Sequence, residues 1–159
     1  MKLSLYYLIA AAVVCLDQWI KAIVVERVDL FEVIPVIPGV FDITHIRNDG
    51  AAYNLFSQFP ILLIVMPGMV MLAGLVYMAF VVKKKPATLL LAISLVIGGG
   101  LGNLVDRINK GYVVDFFDVH IIPVFNVADV FICTGCGLLF IYLVFIDGKQ
   151  KGTKSGQHE

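Results

Sequence analysis

The sequence predicts a mainly α-helical, polytopic membrane protein: four transmembrane helices, both termini cytoplasmic, and a small β-containing segment on the outer membrane surface. Three observations predict it. Hydrophobic residues make up 60% of the 159-residue chain and charged residues only 15%, whereas soluble domains sit nearer half and a quarter. The apolar residues gather into long runs, each near the ~20 residues a helix needs to cross ~30 Å of hydrocarbon. Lys and Arg are also shared unevenly among the connections, which sets orientation.

The first span covers residues 3–25. A cleaved signal peptide is the alternative, because Lys2 precedes the run and Ala12-Val13-Val14-Cys15 has the outline of a lipoprotein cleavage box. Val14 is bulky where a small residue is wanted, and the apolar run continues to Val25, too long for a signal core. A retained span is the better reading. The segment 26–60 follows, too long for a simple turn and therefore a candidate functional loop. Within it Phe41-Asp42-Ile43-Thr44 alternates as a short strand does, after a stretch broken by Pro35, Pro38 and Gly39.

Two further spans, 61–82 and 87–105, are joined by the tight basic turn at Lys83-Lys84-Lys85-Pro86 and should be antiparallel neighbours. The fourth span covers 125–146, and the Lys-, Gly- and Gln-rich tail 147–159 reads as disordered. Lys2, the turn lysines, Lys149, Lys151 and Lys154 would all be cytoplasmic, and the acidic connections would face out. The whole chain reads as one membrane-embedded domain. A formal net charge of zero leaves no electrostatic footprint for nucleic acid. Cys15, Cys133 and Cys136 lie in apolar runs and give no disulfide framework; Cys133-Thr-Gly-Cys136 is expected to be small-residue packing.

Several polar residues do not belong in lipid. Asp17 and Lys21 share a helix face, either as a neutralising pair or as props of a nearby site. Gly98 and Gly102 would let another helix approach closely. Asn103, Asp106 and Arg107 lie on one face and either orient a substrate or merely close the helix end. Asp129 has an ordinary explanation, since Asn126 could be the N-cap and Asp129 the acid of a capping box.

Convergence argues for more than capping. The third helix ends and the fourth begins on the same side, so Asp115 and Asp129 can meet there. Ionisable groups at membrane depth are functional candidates. Two carboxylates in a low-dielectric pocket cannot both ionise easily, so the pair offers an acid and a base together, suited to peptide hydrolysis. Competing chemistries are weaker. His45, His120 and His158 are not spaced for zinc and read as ordinary interface or tail residues. No G-x-S-x-G or Ser–Lys arrangement presents a nucleophile. A proton or ion pathway would spread its acids through the bilayer, and a non-enzymatic assembly factor using the Gly-rich helix is the third possibility.

The ordered set Asp17-Gln18-x-x-Lys21, Asn48-x-Gly50-Ala51-Ala52, Gly102-Asn103-x-x-Asp106-Arg107, Val113-Val114-Asp115-Phe116 and Phe125-Asn126-x-Ala128-Asp129 resembles bacterial lipoprotein signal peptidase, also called signal peptidase II. Each motif is short, but five in the right order, spanning most of the chain, are specific. The resemblance implies an aspartic endopeptidase of the bacterial cytoplasmic membrane, with its active site towards the outer face. It would cleave prolipoproteins immediately before the diacylglyceryl-modified cysteine, as a monomer in contact with membrane lipid, with no metal or other cofactor. By position, Asp115 and Asp129 are the implied catalytic dyad. Asn48, Gly50, Asn103, Arg107 and Asn126 line the site, and Asp17, Lys21 and Asp106 support it. The implied fold has four transmembrane helices and an outer β-cradle. Two positions depart from the family: Asp49, where a small hydroxyl residue is common, and Tyr53, where Phe is. Asp49 adds a charge near the pocket, while Tyr53 keeps an aromatic body.

Overall fold

The computed structural model describes residues 3–50, 59, 61–81 and 85–147. The expected basic turn at Lys83 and Lys84, the tail from residue 148, and Ala51, Ala52 and Tyr53 lie outside these residues.

Among the described residues, four helices are long and apolar enough to cross a membrane. Helix α1 runs Leu3–Arg27, α2 Leu62–Val81, α3 Ala87–Lys110 and α4 Val127–Ile141, the last continuing as a π-helical stretch over Tyr142–Asp147. Their outward faces carry Leu8, Trp19, Phe80 and Phe140, each well over half exposed in the isolated chain, which is the surface a lipid-facing bundle presents. Pro67 lies inside α2, where neighbouring helices and local adjustment make proline tolerable in a membrane span.

Helix α3 is the centre of the bundle and packs on α1, α2 and α4. Its glycines allow this. A Cβ at Gly98 would stand 2.7 Å from the Cβ of Val13 and 2.8 Å from the carbonyl oxygen of Ala10, so α1 lies directly on the α3 backbone. At Gly99 a Cβ would collide with the Ala128 carbonyl oxygen on α4. Small residues at such crossings let two backbones touch. Tyr6, Ala10, Met71, Met78, Leu90 and Ile97 fill the core of α1, α2 and α3. A second core of Val24, Val28, Val114, Phe116 and Val127 seals the junction of helices and sheet.

The segment after α1 forms β1 (Val33–Ile37) and β2 (Phe41–Asn48), and β3 (Val113–Asp118) follows α3; together they make an antiparallel sheet in the order β1-β2-β3. Pro35 lies within β1 rather than breaking it. The strand is at the sheet edge and its register is irregular between Pro35 and Ile37, which is where a residue without an N–H can sit. The expected strand over Phe41–Thr44 extends to Asn48 because β3 pairs along it, with Ile46 opposite Asp115 and Asn48 opposite Val113.

Helix α3 does not stop near Val105. It runs on to Lys110 and ends at Gly111, whose left-handed backbone (φ 82°) places its N–H on the carbonyl of Arg107. The apolar run marks the part of the helix suited to lipid, and the polar turns beyond it are still helical. Cys15, Cys133 and Cys136 all lie exposed on the outside of the bundle. The expectation that Cys133 and Cys136 pack as small residues is therefore corrected: Gly135 is the residue against α3, where a Cβ would stand 2.7 Å from the Ala92 carbonyl oxygen.

Candidate active site

The chain enters α4 through a sharp return. Phe116 and Phe117 both donate their backbone N–H to the Phe125 carbonyl, and Phe125 donates back to Phe117. That pairing sets Asn126 beside β3. Asn126 then caps α4: its side chain accepts from the Asp129 N–H at 3.0 Å, and the Asp129 carboxylate accepts from the Asn126 N–H at 3.1 Å. The expected capping box is present, so capping explains the backbone position of Asp129. It does not explain the rest of the network.

The Asn126 side-chain amide donates 2.6 Å to Asp115 Oδ1 and 3.1 Å to Asn103 Oδ1. Asn103 in turn donates 2.8 Å to Asp129 Oδ1. From β2, Asn48 donates 2.8 Å to the other oxygen of Asp115, reaching diagonally along one face of the sheet. Asn126 therefore binds both acids, Asp115 through its side chain and Asp129 through its backbone. Asp115 is buried and Asp129 only partly so. Burial is the main cause that pushes the Asp115 carboxyl up, to about 6; the Asn48 bond opposes it, and the nearby Asp129 charge adds to it.

Beneath the acids lies a second charged group. Lys21 Nζ is 2.9 Å from Asp17 and 2.9 Å from Asp106, all three side chains being fully buried. Its third bond, also 2.9 Å, goes to Asn103 Oδ1. That cation fixes the Asn103 amide: with its oxygen held by Lys21 and Asn126, the nitrogen must point to Asp129. Asp17 Oδ1 accepts from the Ala128 N–H, tying α1 to the start of α4. Asp106 also accepts from the Val114 N–H and from Lys110, tying α3 to β3. Arg107 donates 3.0 Å to the Gly50 carbonyl, and Gly50 donates to Asn48 Oδ1.

All ten candidate residues, Asp17, Lys21, Asn48, Gly50, Asn103, Asp106, Arg107, Asp115, Asn126 and Asp129, thus fall in one connected region. Asp49 is exposed. Sequence reasoning missed Lys110 and the role of Gln18, which bonds Asp17, Asp106 and the Gly102 carbonyl. The i,i+4 spacing of Asp106 and Lys110 was the signal for the first.

A four-helix bundle of this kind, with a hydrogen-bonded polar network between helix ends and a three-stranded sheet, defines a multi-pass membrane protein. Two solved structures described as bacterial membrane enzymes are similar to it. One is 34% identical with a TM-score of 0.81, covering 89% of this chain and 88% of that one. The other is 33% identical with a TM-score of 0.79, covering 90% and 94%. The family model described as "Signal peptidase (SPase) II" matches residues 9–145. The lipoprotein signal peptidase of Brevibacillus brevis is 42% identical over 147 residues, 91% of this chain and 97% of that protein. That of Halothermothrix orenii is 40% identical over 137 residues, 86% and 93% respectively. The chain belongs to the signal peptidase II family and is a peptidase.

Proposed function

We propose that this chain is a lipoprotein signal peptidase that uses Asp115 and Asp129 as an aspartic dyad. The single observation that carries the reading is Asn126 holding both carboxylates at once. Amide donors position acids without neutralising them, so the pair can still trade a proton.

In this mechanism buried Asp115 carries the proton and the more open Asp129 is ionised. Asp129 takes a proton from a water molecule as its oxygen attacks the scissile carbonyl, and Asp115 protonates the carbonyl oxygen. The tetrahedral diol then collapses: its C–N bond breaks, the amine leaves with a proton from Asp129, and a hydroxyl proton returns to Asp115. Arg107, pinned to Gly50 on one side, presents its remaining donors to the substrate backbone. The substrate is a prolipoprotein, cut before its diacylglyceryl-modified cysteine, whose membrane-helical signal peptide arrives from the lipid. The protein sits as a single domain and a monomer in the bacterial cytoplasmic membrane, with both termini inside and the sheet end outside.

The test is reconstitution. Purified protein with a diacylglyceryl-modified prolipoprotein should release the signal peptide, and should do so in the presence of a chelator. Cleavage of the unlipidated precursor at an equal rate would refute the substrate assignment. Undiminished cleavage by Asp115→Asn or Asp129→Asn would refute the dyad.

A further inference from the structure

His120 lies in the connection between β3 and α4, outside the network just described. Its backbone is left-handed (φ 61°), a conformation histidine adopts more readily than most residues but still rarely. Three contacts hold it there. Its N–H donates 2.8 Å to Asp118 Oδ1, its Nε2 is 3.1 Å from Asp42 Oδ2, and its Nδ1 is 3.6 Å from Asp118 Oδ1. Asp42 on β2 and Asp118 on β3 are direct cross-strand partners, so two like charges face each other across the sheet, an unfavourable pairing on its own. Asp42 is 8% exposed, and its other oxygen has no partner among the described residues. Among the described residues, the imidazole of His120 is the ring that lies against both acids.

Both ring nitrogens face carboxylates. A neutral ring can donate from only one of them, leaving a lone pair towards the other acid, whereas the imidazolium donates from both. The charged ring therefore fits this site, and losing its charge leaves Asp42 buried without a counter-ion.

The location gives the clamp its consequence. β2 carries Asp42 near one end and Asn48, the partner of Asp115, at the other. The β2–β3 register is irregular between Ile43 and Ile46, so the ladder alone does not carry alignment from one end to the other. The connection that His120 ties down leads directly to Phe125, paired with Phe117, and to Asn126.

We propose that protonated His120 is a positioning residue, clamping β2 to the β3–α4 connection through Asp42 and Asp118 and thereby setting Asn126 against Asp115. The kinetic half of this inference rests on the dyad reading above; the structural half does not.

Hydrogen exchange and cleavage measured on the same full-length protein in detergent, at one pH, test both halves. Corrected for intrinsic rates, protection of the Phe116, Phe117 and Phe125 amides should be roughly tenfold lower in His120→Gln, which keeps an N–H donor without the charge, than in wild type. Cleavage by His120→Gln should fall about fivefold, with KM little changed. Adding Asp42→Asn to His120→Gln should restore protection and rate, because the unpaired charge is then gone. Equal protection in wild type and His120→Gln, or no restoration by Asp42→Asn, would overturn the clamp. Lost protection with cleavage unchanged would overturn its positioning role. Failure of the wild type to cleave any prolipoprotein would remove the dyad reading beneath that role, leaving the exchange data to decide the clamp.

Discussion

Two pairs of carboxylates share one hydrogen-bonded network here, and their surroundings differ in kind. Asp17 and Asp106 are matched to cations, Lys21 between them and Lys110 beyond. Asp115 and Asp129 are held by the amides of Asn48, Asn103 and Asn126. A cation fixes its partner in the ionised state; an amide fixes only its position. The first pair therefore stitches α1, α3, β3 and α4 together, while the second keeps protons to exchange. Asn103 is the joint, with its oxygen on Lys21 and its nitrogen on Asp129.

The sharpest way to break this division is to swap charge for amide in each pair. In the upper pair, Asp115→Asn and Asp129→Asn should each lower cleavage by about 10³-fold or more, the scale of a lost acid or base, with the fold retained. Burial raises the Asp115 carboxyl to about 6, so the folded state binds the extra proton and its stability declines as pH rises through that value. Asp115→Asn sets an NH2 group against the Asn48 or Asn126 donor, but it also removes that titration. Thermal unfolding of the variant should therefore vary less with pH than that of wild type between about pH 4 and about pH 6; an unchanged pH dependence would mean that Asp115 does not carry the proton.

In the lower pair the most damaging change is to the cation. Lys21→Met leaves Asp17 and Asp106 buried without their shared partner and should cost about 3–5 kcal/mol, read as loss of folded protein in detergent. Lys21→Met with Asp106→Asn should recover part of it. If Lys21→Met folds normally and only slows cleavage, the cluster is catalytic support rather than a stitch.

The division was only half legible in the sequence. Hydropathy exposed the four helices because lipid demands unbroken apolar length, and the Asn126–Asp129 spacing exposed the capping box because capping is local. Neither could show that Asn126 reaches Asp115, since that depends on the Phe117–Phe125 return, a pairing without a sequence signature. The pairing of Asp17 with Lys21 could be anticipated from helical spacing, but their junction with Asp106 could not, because it needs α1 and α3 in contact. Reading the third helix as ending at Val105 made Asp106 and Arg107 look like terminal residues. The helix runs on to Lys110, Arg107 lies in its last turn, and the Asp106 and Arg107 side chains reach β3 and Gly50.

The contact of α1 with α3 can be weakened without touching any charge. A Cβ at Gly102 would stand 2.6 Å from Asp17 Oδ2 and 3.4 Å from the Ala128 Cβ. That oxygen is anchored by Lys21 at 2.9 Å, so it cannot simply swing aside. Gly102→Ala should cost about 1–3 kcal/mol, with cleavage by the folded fraction reduced less than in the dyad variants. A fully stable Gly102→Ala would show that Asp17 has room to move, and that the lower cluster is looser than its distances imply.

The smallest expected effect is the most diagnostic of the upper pair. Asn48 donates to the ionised form of Asp115 and thus holds its carboxyl down against burial. Removing that donor in Asn48→Ala raises the carboxyl further, so the protonated acid persists to higher pH. If Asp115 is the acid, the alkaline limb of kcat/KM, expected near 6 in the wild type, should move up by about one unit in the variant. An alkaline limb that stays in place would assign it to another group, and an acidic limb that moves up instead would make Asp115 the base and Asp129 the proton carrier. Either result would leave the contrast between cation-held and amide-held acids standing while reversing the roles within the second pair.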